Sequence, residues 1–168
     1  MTSTSYRSAW NSYRGACLSA LLILSLACAA GRARSAEHDI YPAPDRAGAD
    51  LDAALAAAGP THKRIILDFG GNWCADCHVL DHYFHDATNG PLLEGHFILV
   101  HINIGRMNEN LGLADHYRIP LRKGVPALAV LDEHGGLLFS QRTGEFEAMR
   151  SMQSSAVTDF LLYWRSRA

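Results

Sequence analysis

Basic residues are not in excess in this sequence. Among its 168 residues, 15 are Lys or Arg and 17 are Asp or Glu, which gives a formal charge of -2. A nucleic-acid-binding domain shows clustered Lys and Arg, so no nucleic-acid partner is expected. The length predicts one domain, and a hydrophobic fraction of 48% excludes a disordered chain.

Cysteines and long hydrophobic runs are also few. Four cysteines are too few for a disulfide scaffold. The main apolar run, Ala16–Ala30, has 15 residues, whereas a helix needs about 20 to cross a bilayer. A permanent membrane anchor is therefore the weaker interpretation of this run.

The first 36 residues contain no Asp or Glu and have the layout of a secretory signal peptide. Arg7 and Arg14 precede Ala16–Ala30, and Ala27-Cys28-Ala29 offers small residues for cleavage. We predict a signal peptide at residues 1–36, cleaved after residue 29 or 36, and a periplasmic or secreted protein. Residues 24–28 also loosely resemble the bacterial lipoprotein signal, so a second possibility is lipidation at Cys28.

Removal of this leader changes the totals. The remaining 132 residues hold 11 basic and 17 acidic residues, a formal charge of -6. Cys17 and Cys28 leave with the leader, and only Cys74 and Cys77 remain. Two cysteines in an oxidising compartment are expected to pair.

Hydrophobic periodicity predicts an α/β fold with a mixed central sheet flanked by helices. Residues 37–62 form an N-terminal extension, with an extended segment and a lead-in helix at Asp50–Ala58, and residues 63–168 form the main domain. The predicted order after the lead-in is β-α-β-α-β-β-α. The strands are Lys63–Phe69, His96–Ile104, Ala127–Leu131 and Leu137–Gln141, and the helices are Cys74–His85, Asn110–Tyr117 and Glu145–Arg165.

The chemistry concentrates at Trp73-Cys74-Ala75-Asp76-Cys77, between the first strand and its helix. At a helix N-terminus, unpaired N–H groups and the positive end of the dipole stabilise the thiolate of Cys74. Two intervening residues bring Cys77 round one turn. This spacing permits a nucleophile and a resolving thiol in one reversible cycle.

Three segments together resemble the thioredoxin family, in the family's chain order. They are Leu67-Asp68-Phe69, the motif from Trp73 to Cys77, and Gly124-Val125-Pro126, with Thr143-Gly144 resembling the glycine near the family's active-site groove. The resemblance covers roughly residues 64–167. It implies a thioredoxin-like fold and thiol–disulfide exchange without a bound cofactor.

The resemblance also implies roles for individual residues. Cys74 matches the attacking thiol, Cys77 the resolving thiol, and Asp68 a buried carboxylate that helps to move the proton of the resolving thiol. Substrate binding would fall to Trp73, Val125 and Pro126, with Pro126 at the place of the family's cis-proline. His101 stands where cytosolic thioredoxins commonly have a lysine.

Several positions depart from the family pattern: Gly70-Gly71-Asn72 before the motif, Ala75-Asp76 within it and the insertion Pro120–Lys123. An ionised Asp76 near Cys74 would disfavour the thiolate, which favours a reductase over an oxidase. The partners of such a reductase would be a protein or small-molecule disulfide as substrate and a membrane-embedded thiol transporter as electron donor.

Three other interpretations stay open. Cys74 to His78 spells the CxxCH motif for c-type haem, with Met107, Met149 and Met152 available as distal ligands. Cys74, Cys77, His78 and His82 offer metal ligands, and His78, His82 and His85 share a helix face, although a helical stripe of His is typical of a solvated face. A non-catalytic binding domain with a structural disulfide is the third.

Overall fold

The computed structural model of this chain describes residues 39–165. The predicted leader, with Cys28 and both cleavage positions, lies outside these residues. Within residues 39–165, no helix is long and apolar enough to span a membrane.

A mixed four-stranded sheet forms the centre of the fold, in the order β2-β1-β3-β4. The strands are β1 (Arg64–Gly70), β2 (Phe97–Asn103), β3 (Ala127–Leu131) and β4 (Leu137–Ser140). β1 runs parallel to β2 and antiparallel to β3, and β3 and β4 form the predicted hairpin. β1 and β3 are buried almost throughout, as continuous apolar runs in a sheet covered on both faces should be.

Five α-helices of the described residues flank the sheet, which confirms the predicted α/β class. They are α1 (Ala47–Thr61), α2 (Ala75–Phe84), α3 (Gly90–His96), α4 (Leu111–His116) and α5 (Ser154–Trp164). Helix α3 was not predicted, because Gly90-Pro91 is typical of a turn. In the structure Pro91 lies in the first helical turn, where a missing N–H costs nothing.

Two hydrophobic clusters cover the two faces of the sheet. Because side chains along β1 point alternately to the two faces of the sheet, Ile65, Leu67 and Phe69 lie in the cluster that includes α1. Ile66 joins the other cluster, with Leu80 of α2 and the apolar face of α5. Asp68 and Gly70 follow Ile66 at two-residue steps, so they share its face of the sheet, the face on which α2 packs.

The C-terminal helix is shorter than predicted, which corrects Glu145–Arg165. Phe146 and Met149 are buried, as their apolar spacing suggested, but they lie in turns and a 3-10 segment before α5. The backbone N–H of Arg150 donates to Asp76 at 2.8 Å. In a continuous helix that group would bond to a carbonyl four residues earlier, so this tertiary contact replaces the helical bond.

Residues 39–46 are held to the rest of the fold by the side chains of three asparagines. Asn72 makes two hydrogen bonds with the backbone of Tyr41, both 2.9 Å. Asn103 donates to the carbonyl of Pro42 at 2.7 Å, and Asn110 to that of Pro44 at 2.9 Å. This fixed path brings the ring of Tyr41 into the core.

Candidate active site

Cys74 and Cys77 form a disulfide at the N-terminus of α2, with their Cα atoms 5.2 Å apart. Cys74 is the N-cap residue, in extended conformation, and its Sγ accepts the backbone N–H of Cys77 at 3.1 Å. The strand-to-helix junction thus places this sulfur at the positive end of the helix dipole, as the sequence predicted. The same N–H would stabilise a Cys74 thiolate.

The two sulfurs differ in access. Cys74 is 6% exposed, whereas Cys77 is fully buried. The carbonyl oxygen of Val125 lies 3.6 Å from Cys74 Sγ, and the Val125–Pro126 peptide bond is cis. The structure therefore brings together, around Cys74, the residues that the resemblance assigned to attack and to substrate binding.

Trp73 lies beside the disulfide with 41% of its surface exposed. Its indole Nε1 donates to the carbonyl of Gly105 at 2.5 Å, and the Arg106 guanidinium lies 5.6 Å from its ring centre. A Cβ at Gly71 would come within 2.7 Å of the indole nitrogen. The second glycine before the motif is therefore needed for this indole position.

The inserted loop borders this region. Residues 121–123 form one 3-10 turn directly before Gly124 and the cis bond. Together with residues around Met107 and Leu111, the loop lines a surface cavity of about 650 Å³. Met107 and Leu111 are exposed apolar side chains, while Arg122 and Lys123 add positive charge.

Asp68 is fully buried on the face of β1 that α2 covers. Its Oδ2 accepts the hydroxyl of Tyr41 at 2.6 Å and lies 3.0 Å from Nδ1 of His101, its register partner on β2. Its Oδ1 has no hydrogen-bond partner. Burial lowers the pKa of His101, but the hydrogen bond to Asp68 and the charges of Asp68 and Asp81 outweigh burial and raise that pKa above its ordinary value.

Tyr41 is the site residue that the sequence analysis missed. Burial, and after it the charge of Asp68 and the hydrogen bond to it, raise the pKa of Tyr41 well above its ordinary value. A Cβ at Gly70 would overlap both the Tyr41 hydroxyl and Cys77 Sγ. The available signal was Gly70 itself, a glycine inside a buried strand, which often marks a close approach.

Asp76 does not act on Cys74 as an unpaired carboxylate, which corrects a premise of the reductase argument. Arg150 donates to it from the backbone N–H at 2.8 Å and from Nε at 3.1 Å. Burial raises the pKa of Asp76, but these hydrogen bonds and the charge of Arg150 outweigh burial and leave that pKa below its ordinary value. The pair places opposite charges beside the motif.

Two histidines, one in α2 and one directly after it, make local contacts. His78 Nε2 lies 2.8 Å from the carbonyl oxygen of Asn72, and His85 Nδ1 lies 2.8 Å from that of Asp81. Across residues 39–165, no group of three or more His, Cys, Asp or Glu side chains is placed to hold a metal ion. The metal arrangement considered from the sequence is therefore not assembled in this part of the chain.

Comparisons with known proteins agree with this geometry. The family model described as thioredoxin-like matches residues 46–133. A disulphide isomerase from Xylella fastidiosa is 34% identical, with a TM-score of 0.72 over 76% of this chain and 98% of its own. The DsbH oxidoreductase is 21% identical, with a TM-score of 0.52 over 79% and 98%, a likeness of fold alone. No curated protein sequence matches the chain.

The sheet, the flanking helices and the Cys74–Cys77 disulfide define a disulfide oxidoreductase fold of the thioredoxin type. The chain belongs to the thioredoxin-like family. The resemblance stated from the sequence is thereby confirmed.

Proposed function

We propose that this protein is an exported thiol–disulfide oxidoreductase that reduces disulfides in protein or small-molecule substrates. The observation that carries the proposal is the pairing of Cys74, which lies at a helix N-terminus and is 6% exposed, with Cys77, which is fully buried. Attack by one sulfur and resolution by the other need this difference in access.

The reaction follows from the placement of the two sulfurs. The Cys74 thiolate attacks one sulfur of the substrate disulfide, and the other substrate sulfur leaves as a thiolate. Cys77 then loses its proton and attacks Cys74, which releases the second substrate thiolate and restores the internal disulfide. Two electrons pass to the substrate, and no cofactor takes part.

Substrate would bind beside the cis bond. The Val125 carbonyl, 3.6 Å from Cys74 Sγ, is available to an extended peptide that approaches this sulfur. The exposed Trp73 indole and the cavity lined by Met107 and Leu111 offer further apolar surface. We assign Trp73, Val125 and Pro126 to substrate binding on this basis.

Two features support the reducing direction. Strong oxidants of this fold stabilise the attacking thiolate, and a cation next to the sulfur does so. The Ala75-Asp76 dipeptide supplies no cation, and the charge of Arg150 is taken up by Asp76. A reductase outside the cytoplasm needs electrons, so we propose a membrane-embedded thiol transporter as donor.

Insulin reduction in the presence of dithiothreitol tests the activity. The domain from residue 37 onward should accelerate precipitation of the insulin B chain, and Cys74→Ser should abolish this effect. Ala75→Ser is the matched control, since it changes an exposed residue of the same motif and leaves both thiols. Equal turnover by Cys74→Ser and the unaltered domain would refute the proposal.

Disulfide isomerisation is a second candidate function. The 34% identical Xylella fastidiosa protein is described as a disulphide isomerase, and an isomerase uses the same attack by Cys74 without net electron transfer. Refolding of scrambled ribonuclease separates the two activities. An isomerase should regain ribonuclease activity with catalytic amounts of protein, while a pure reductase should only reduce the substrate.

Export is proposed from the leader alone. Fusion of residues 1–36 to alkaline phosphatase, which is active only outside the cytoplasm, should give an active reporter in a bacterial host. The same fusion without residues 1–36 is the control. A Cys28→Ser leader that still exports but no longer gives a membrane-bound product would identify lipidation, and an inactive fusion would refute export.

A further inference from the structure

Tyr41 reaches the redox centre from outside the segment that resembles the family. It is 1% exposed, and its hydroxyl donates to Asp68 Oδ2 at 2.6 Å. Its ring stands edge-on to His101, with ring centres 5.0 Å apart. Asn72, directly before Trp73, holds the Tyr41 backbone by two hydrogen bonds. A buried phenol is thus fixed to both the carboxylate and the motif.

The hydroxyl of Tyr41 also lies near the resolving sulfur. A Cβ built on Gly70 would lie 2.7 Å from Cys77 Sγ and closer still to the Tyr41 hydroxyl oxygen. The sulfur and the phenol oxygen are therefore less than twice 2.7 Å apart. Gly70 and Asp68 point to the same face of β1. The phenol oxygen therefore contacts the carboxylate and lies close to the sulfur.

Deprotonation of Cys77 takes place away from bulk water. Asp68 and Cys77 are fully buried, and Tyr41 almost so. A thiol must become a thiolate before it attacks a disulfide, and a buried charge is costly unless it is paired or hydrogen-bonded. The residues that surround this sulfur thus decide where the proton goes.

We propose that Tyr41 relays the proton of Cys77 to Asp68 during resolution of the mixed disulfide. The S–H bond of Cys77 breaks as its proton moves to the Tyr41 oxygen, and the hydroxyl proton of Tyr41 moves to the Asp68 carboxylate. The electron pair left on Cys77 forms the bond to Cys74. The departing substrate thiolate takes its proton from solvent, so protons and electrons balance.

The groups around Tyr41 suit a relay. Asp68 faces it from β1, His101 from β2, and Cys77 and Asp81 from α2. Because burial and the nearby carboxylates raise the pKa of Tyr41 well above its ordinary value, the resting phenol keeps its proton and passes one on only as it receives another.

An exit for the proton continues from Asp68. His101 Nδ1 lies 3.0 Å from Asp68 Oδ2, and His101 Nε2 lies 3.6 Å from Asp81 Oδ1. The side chains of His101 and Asp81 are 17% and 23% exposed. This row of groups leads from the buried carboxylate towards the surface.

The inference rests on the proposed function, and one experiment separates the two. The reduced domain is mixed with Ellman's reagent in a stopped-flow instrument, and absorbance records two releases of thionitrobenzoate. Attack by Cys74 gives the first, and resolution by Cys77 gives the second. Absence of a second release in the unaltered domain would overturn the proposed function itself.

Tyr41→Phe keeps the ring and removes the hydroxyl. The second release should slow by at least about tenfold at pH 7, since a positioned proton-transfer group typically contributes about 10²–10⁴-fold, while the first release stays within about twofold. The slowing should shrink as pH rises and hydroxide replaces the relay. Tyr117→Phe, in a second buried tyrosine of the same hydrophobic cluster, is the control and should change neither release.

Unchanged second-release kinetics in folded Tyr41→Phe would overturn the relay while leaving the proposed function intact. A measurement on the unaltered domain covers the case in which Tyr41→Phe does not fold. In mixtures of H2O and D2O, two protons in motion should make the second-release rate curve with the deuterium fraction. A straight line would mean a single transfer and would also overturn the relay.

Discussion

His101 and Asp68 face each other across the parallel pair β1/β2, with His101 Nδ1 3.0 Å from Asp68 Oδ2. By the family resemblance, His101 stands where cytosolic thioredoxins commonly carry a lysine near this carboxylate. Unlike lysine, histidine titrates near neutrality. The charge beside the redox centre therefore depends on pH in this protein.

Replacement of His101 by Gln should make stability less sensitive to pH. The pKa of His101 is raised above its ordinary 6.5, so the folded state holds this proton more tightly than the unfolded state. That stabilisation is fully present below the unfolded pKa and is lost as pH rises through the folded pKa.

We expect the unfolding free energy of the unaltered domain to exceed that of His101→Gln by about 1.5–3 kcal/mol at low pH, the range for a hydrogen bond to a charged group. The difference should shrink above neutrality. Urea titrations at pH 5.5, 7 and 9, followed by tryptophan fluorescence, measure it. A difference that grows with pH would contradict the assignment of the charge.

Within the Asp76–Arg150 ion pair, the two opposite charges should offset each other's effect on the pKa of Cys74. Asp76→Asn leaves the Arg150 cation beside the motif, so the pKa of Cys74 should fall and the pair should become more oxidising. Arg150→Gln leaves the carboxylate and should have the opposite effect. Because Arg150 is largely exposed, we expect each change in potential to stay below about 30 mV, equivalent to a tenfold change in the equilibrium constant.

Equilibration of both variants with glutathione buffers gives their potentials, and thiolate absorbance against pH gives the pKa of Cys74. Each variant serves as the control for the other, since one removes an anion and the other a cation from the same pair. Shifts of the two variants in the same direction would show that charge at this position does not set the potential.

Gly70→Ala should destabilise the fold. The added Cβ would lie 2.7 Å from Cys77 Sγ and would overlap the Tyr41 hydroxyl, so the strand, the helix or the phenol must move. Overpacking of this kind costs about 1–3 kcal/mol. Urea unfolding of the oxidised and the reduced domain measures the loss in each redox state.

Gly48→Ala is the matched control for this substitution. A Cβ at Gly48, in the first turn of α1, meets nothing within 4 Å. Alanine is a better helix former than glycine by about 1 kcal/mol, so stability should stay the same or rise slightly. Equal losses of unfolding free energy in Gly48→Ala and Gly70→Ala would show that the close contacts of a Cβ at Gly70 do not limit stability.

The predictions that succeeded rest on local or family signals. The turn of helix between Cys74 and Cys77 follows from their spacing, and the N-cap position of Cys74 follows from the strand before it. The family pattern pointed to Asp68, which the structure buries, and to Pro126, which follows a cis bond; the roles assigned to both residues stay predictions. The hairpin from β3 to β4 follows from two apolar runs around Gly135-Gly136.

The features that were missed depend on contacts distant in sequence. Tyr41 meets Asp68 across 27 positions, and Arg150 meets Asp76 across 74. Periodicity could not show that the N–H of Arg150 leaves the helical pattern to bond Asp76. Nor could it show what Gly70-Gly71-Asn72 does. Gly70 leaves space for the Tyr41 phenol, Gly71 leaves space for the Trp73 indole, and Asn72 makes two hydrogen bonds to the Tyr41 backbone. The sequence showed only that these three residues depart from the family pattern.

Trapping of substrate on Cys77→Ser tests the central claim most directly. Without the resolving thiol, the mixed disulfide at Cys74 cannot be released, so non-reducing gels of bacteria that express full-length Cys77→Ser should show disulfide-linked complexes. Mass spectrometry should place the link at Cys74. Cys74→Ser should trap nothing, and complexes equally abundant in both variants, or absent from Cys77→Ser, would contradict the account.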